Sequence, residues 1–101
     1  MATKATDRLY ELNKTLLTII ADMNSKQLMN KAADNIRILT AAMVEKAKSG
    51  HPGGAMGGAD FINVLYSEFL VHDPDNPLWE GRDRFFLDPG HMSPMLYSVL
   101  A

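Results

Sequence analysis

His51 stands in the stretch SGHPGGAMGGAD, residues 49–60, where five glycines and one proline surround it. An imidazole can donate from one ring nitrogen and accept at the other. Gly53, Gly54, Gly57 and Gly58 carry no side chains, so a ligand could come close to the backbone without steric cost. Glycines also let helices cross closely, and His51 could merely cap the helix before it; spacing leaves both readings open. The stretch is no phosphate-binding loop, because no lysine follows the glycines and the G-x-G-x-x-G spacing is absent.

His91 is the second candidate. It lies between the apolar run RFFLD and the pair Ser93–Pro94, with Gly90 beside it. Ligands of α/β proteins gather between a strand end and a helix start, where unpaired N–H groups favour anions. An imidazole there can donate to a phosphate; the alternative is a loop histidine bonded to nearby backbone. His72, followed by turn residues, reads as a solvated side chain. Asp83, between Arg82 and Arg84, reads as part of a surface charge cluster. Three histidines far apart in sequence, with no i, i+4 pair and no cysteine in the chain, make no metal site.

The elements that must hold these residues follow from periodicity. Leu9, Leu12, Leu16, Ile19 and Met23 recur at steps of three and four and predict a helix over 7–23 with a narrow apolar stripe. Asn24 and Gln27 have capping-box spacing and read as a new helix start, though a break and a kink at 22–25 are equally compatible with it. The second helix carries Met29, Ala32, Ile36, Leu39, Met43 and Ala47 on one face, closed by Gly50 as cap and stopped by Pro52. After the glycine stretch, Phe61, Ile62, Leu65 and Phe69 predict a third helix. VHDPDNPLWEGRD is loop, Arg84–Leu87 reads as a short buried strand, and Ser93 as N-cap with Pro94 behind it starts a fourth helix. The expectation is a mainly α chain of about four helices and one strand, opening a larger α/β domain. SPMLYSVLA ends while its apolar pattern is still running, which reads as the front piece of a longer protein.

Bulk properties narrow the class. With 101 residues, 47% hydrophobic and 22% charged, the chain is too apolar for a disordered tail. A net charge of −2 provides no basic field for nucleic acid or acidic lipid. The apolar runs are too short for a membrane span or a signal peptide, so the expectation is a soluble cytoplasmic protein without nucleic-acid or membrane partners.

The two stretches KAKSGHPGGAMGGADFINVLYSEFL and GRDRFFLDPGHMSPMLYSVL closely resemble the start of transketolases, in order and spacing, from about Ala33 to Ala101. Other enzymes with the same cofactor, such as deoxyxylulose-phosphate synthase and the pyruvate dehydrogenase E1 component, differ from the S-G-H-P-G form. The resemblance implies a thiamine diphosphate-binding fold, and transfer of a two-carbon ketol unit between sugar phosphates with thiamine diphosphate and Mg2+ or Ca2+. It implies carbohydrate metabolism in the pentose phosphate pathway, and a homodimeric parent. It also implies that His51 is the catalytic and substrate-binding histidine beside the reactive thiazolium carbon, and that His91 contacts the cofactor near its diphosphate. Residues 1–25 then form a helical extension, and 26–101 the beginning of the cofactor-binding domain, truncated at its C-terminal end.

Departures from the family pattern sharpen the expectation. Met92 and Ser93 follow Gly90–His91 where the family often has G-H-G-S. The Gly-Asp-Gly metal motif, its downstream asparagine and the glutamate that activates the aminopyrimidine belong to parts of the family chain beyond Ala101. The piece alone is therefore expected to be inactive and, with apolar faces uncovered, to self-associate. The competing reading is a non-enzymatic helical interaction module that keeps the motif as scaffold, supported by the leucine stripe. A split-enzyme subunit is a third, and it would need the metal motif within one chain.

Overall fold

Lys4–Ala47 forms one uninterrupted helix, α1, in a computed structural model that describes residues 3–101. Its start is capped by Thr3, whose hydroxyl accepts from the Thr6 N–H at 3.1 Å, and Asp7 sits in the positive first turn. No proline or glycine falls between residues 4 and 47, so nothing in the backbone forces a stop. The helix start expected at Asn24 is absent. Asp22 instead pairs with Lys26 at 3.2 Å across that point, in the favourable acid-before-base order. At 1.5 Å per residue the 44 residues span about 66 Å, which accounts for the 69 Å long axis of the molecule.

The closing residue of α1 also differs from expectation. Lys48 takes the left-handed conformation at φ 53°, and its N–H returns to the Glu45 carbonyl. Gly50, at φ 117°, turns the chain two residues later. Pro52 then begins a helix rather than only ending one. The expected glycine loop is two short helices, α2 (Pro52–Gly57) and α3 (Ala59–Val64), followed by a π turn over Leu65–Phe69. The Gly58 N–H bonds to Gly54 and the Ile62 N–H to Gly58, both at 2.9 Å, so helical bonding runs through the junction.

Packing begins at the middle of α1. Ala33, Ile36 and Thr40 are buried, and meet Ala55, Ala59 and Ile62 of α2 and α3 and Met95 of the last helix. The buried stripe is offset from the expected one. Ile36 is common to both, Met29, Ala32 and Met43 are half-buried, and Leu39 and Ala47 face outward. Small residues at 33 and 40 let the other helices approach more closely than leucine would. Polar groups inside are satisfied. The Asn63 amide donates to the Met29 carbonyl at 3.1 Å, and the Ser98 hydroxyl donates to Pro94 at 2.7 Å. With its one proton used, Ser98 accepts from Thr40 at 3.3 Å. Arg37 joins Asp34 on α1 to Asp60 on α3.

Arg84–Leu87 is not a strand, and no strand occurs among the described residues. A strand needs a neighbour for its N–H and C=O groups, and none of these residues supplies one. The in–out alternation survives: Phe85 and Leu87 pack against the core while Phe86 is exposed. The last helix, α4 (Ser93–Leu100), follows a 3-10 turn at Gly90–Met92. Ser93 is its first residue rather than its cap, Met92 takes the cap position, and no side chain caps it. Among the described residues no helix is long and apolar enough to cross a membrane.

Candidate functional site

His51 and His91 come together. They lie 40 positions apart in sequence, yet their ring centroids are 5.5 Å apart with the planes inclined at 68°. His51 precedes α2 in an extended conformation (φ −117°, ψ 106°) and its side chain caps nothing. His91 lies in the 3-10 turn that leads into α4. Both rings are exposed, and among the described residues neither has a protein hydrogen-bond partner. Four ring nitrogens are therefore free to serve a third molecule. The two conservative readings, His51 as a cap and His91 bonded to backbone, find no support.

The glycines divide into two groups. A Cβ on Gly58 would lie 2.6 Å from the Met95 sulfur, and one on Gly54 would lie 3.2 Å from the Met92 Cγ. These two positions, one helical turn apart, let α2 sit directly on Met92 and Met95. Met92, the departure from G-H-G-S, fills this contact. Gly53, Gly57 and Gly90 have nothing within 4 Å of a built Cβ. Two of the five glycines in the stretch thus serve packing, and two others, with Gly90 of the later turn, leave open backbone.

That division has a measurable consequence. Gly57→Ala should raise thermal stability, by about 0.4–1 kcal/mol, through helix propensity and reduced freedom of the unfolded chain. Gly58→Ala should lower it by about 1–3 kcal/mol, because the buried Met95 must move. Paired melting curves test the contrast; equal shifts of one sign would refute it.

The other candidates lie apart from the histidine pair. His72 Nδ1 is 3.2 Å from the Leu70 carbonyl, and its ring stands edge-on to Tyr66. Burial pushes the Tyr66 phenol up from its ordinary value. Asp83 is a fastener that residue type alone does not disclose. Its carboxylate accepts from the Val71 N–H and its own N–H donates to the Val71 carbonyl, both at 2.8 Å, closing the 71–83 loop. A hollow of about 780 Å³ lies at the far end of α4 between Tyr66, His72, Arg84, Phe86 and Leu100. Neither His51 nor His91 lines it.

What the pair can hold follows from its donors. Imidazole nitrogens on open backbone suit hydroxyls and phosphate oxygens. A divalent cation such as Mg2+ prefers several oxygen ligands, and among the described residues no three histidine, aspartate or glutamate side chains gather to hold a metal. The residues present fit an anionic, hydroxyl-bearing ligand better than its metal.

Comparison with known proteins places this arrangement. Residues 28–101 match the family described as transketolase, thiamine diphosphate binding domain. A transketolase of Buchnera aphidicola is 53% identical over 73 residues, 72% of this chain and 11% of the relative. Transketolase 1 of Escherichia coli is 54% identical over 68 residues, 67% of this chain and 10% of that protein. Transketolase 7 of Craterostigma plantagineum is 47% identical over 83 residues, or 82% and 12%. The chain thus spans about a tenth of the length of the curated relatives it matches. With both histidines inside the matched region, the chain belongs to the transketolase family.

Proposed function

We propose that this chain supplies the histidine-bearing front of a transketolase active site, which moves a two-carbon ketol unit between sugar phosphates. The single observation that carries the reading is the edge-to-face contact of His51 and His91, both unpartnered, on backbone left open by glycine. Thiamine diphosphate, when bound, supplies the reactive ring carbon that carries the ketol unit. His51 faces the sugar, holds its hydroxyls and moves a proton at a hydroxyl oxygen. His91, at the entry to α4, donates to a diphosphate oxygen beside the positive end of that helix. Mg2+ or Ca2+ is held by groups other than this pair. On this reading residues 1–25 are a helical extension and 26–101 the opening of the cofactor-binding domain of an α/β parent. That parent is a cytoplasmic homodimer of the pentose phosphate pathway.

A chimera tests the reading. Residues 28–101 are exchanged for the matching segment of the Escherichia coli relative, and ketol transfer is assayed. Retained transfer that depends on His51 and His91 is expected; transfer that persists when both are alanine would reject the proposal. The 101-residue chain by itself is expected to show no transfer and no tight cofactor binding. Micromolar affinity requires about 8.2 kcal/mol, whereas a charge-assisted hydrogen bond contributes only about 1.5–3 kcal/mol. Calorimetry with thiamine diphosphate and Mg2+ reads this directly, and a micromolar constant would contradict it.

A further inference from the structure

The first half of α1 projects from the helical body with every side chain exposed. Leu9, Leu12, Leu16, Ile19 and Met23 are between 49% and 61% exposed. Their three-four-three-four spacing is that of a two-stranded seam, in which one stripe closes against the stripe of a partner. Ala5 extends the seam by one step, and Lys26 ends it at the other side. The first half-buried residue of the helix is Met29, so the seam lies wholly outside the body.

We propose that this seam closes on a second copy of the same chain, running antiparallel. With Leu12 opposite Leu16 of the second copy, Leu9 meets Ile19 and Ala5 meets Met23, each contact occurring twice by symmetry. The same register sets Arg8 beside Asp22 at both ends and Thr15 beside its own counterpart in the middle. On the other flank Asn13 lies beside its own counterpart and Thr6 beside Ile20, so no like charges face each other. The seam is complementary to itself in charge as well as shape.

Parallel pairing lacks both advantages. It would set Arg8 beside Asn13 and Asp22 beside Gln27, with no opposite charges. It would also bring the two bodies level, although paired helix axes lie only about 8–10 Å apart and the shorter dimensions of the molecule are 34 and 20 Å. In the antiparallel register Lys4 of one copy lies level with Asn24 of the other, short of its body. The helix is also ordered in advance, because the turns after Met29 are packed. An isolated helix of the seam's length would be marginal in water.

Sedimentation velocity on the full 101-residue chain across a concentration series tests the proposal, which does not depend on the catalytic reading. A reversible dimer is expected. Arg8→Glu and Asp22→Arg should each raise its dissociation constant roughly five- to tenfold, since two symmetry-related pairs turn repulsive; the double variant should restore it. Leu16→Asp should abolish the dimer while circular dichroism shows the helix retained. The chain has no cysteine, so a short thiol cross-linker should join Thr15→Cys copies. It should not join Lys4→Cys copies, which the register holds about 30 Å apart along the axis. A monomer at every concentration, a dimer indifferent to the two charges, or ready joining at position 4 would each overturn the proposal.

Discussion

His51→Ala in the chimera is expected to lower the turnover of ketol transfer by about 10²–10⁴-fold, the usual contribution of a general acid–base group. Apparent cofactor affinity should change far less. The argument starts from position: His51 precedes α2 with no capping bond, so its ring is not committed to the fold. Its removal leaves no buried partner unsatisfied, and stability should be nearly unaffected. Two further variants separate proton movement from simple binding. His51→Asn and His51→Gln keep a hydrogen-bonding group but cannot exchange a proton near neutrality. They should recover part of the sugar KM while kcat stays low. A loss confined to KM would make His51 a binding residue only, and unchanged kinetics would remove it from the site.

The histidines were legible in the sequence because their surroundings are unusual, and their meeting was not. Nothing in the spacing of residues 51 and 91 tells that α2 packs on the start of α4. That contact depends on Gly54 and Gly58 admitting Met92 and Met95, a match of shapes between distant segments. Helices with a clear apolar stripe were readable, but the continuity of α1 was not. Asn24 and Gln27 satisfy a capping pattern locally, whereas an unbroken run without glycine or proline costs the backbone nothing and prevails. Arg84–Leu87 shows the reverse case. Its aromatic, alternating composition has the local character of a strand, and pairing is a property of neighbours that composition does not contain. The bond of Asp83 was not readable for a similar reason, since its partner is the Val71 backbone twelve residues away.

His91→Ala should act on the cofactor rather than the sugar. The ring lies in the 3-10 turn that enters α4, beside the positive end of that helix. A diphosphate oxygen there gains from the helix dipole on the order of 0.3–1 kcal/mol when exposed, which the substitution leaves in place. The histidine itself contributes a charge-assisted hydrogen bond of roughly 1.5–3 kcal/mol. At about 1.4 kcal/mol per decade, its loss weakens thiamine diphosphate binding by about ten- to a hundredfold. The chimera carrying His91→Ala should therefore need more cofactor for half-maximal rate, and excess cofactor should recover much of the turnover. Because the two rings are in edge contact, the His51→Ala, His91→Ala pair should depart from additivity, as neighbouring residues do. A His91→Ala chimera that binds cofactor normally and fails only with sugars would place His91 on the substrate side of the pair.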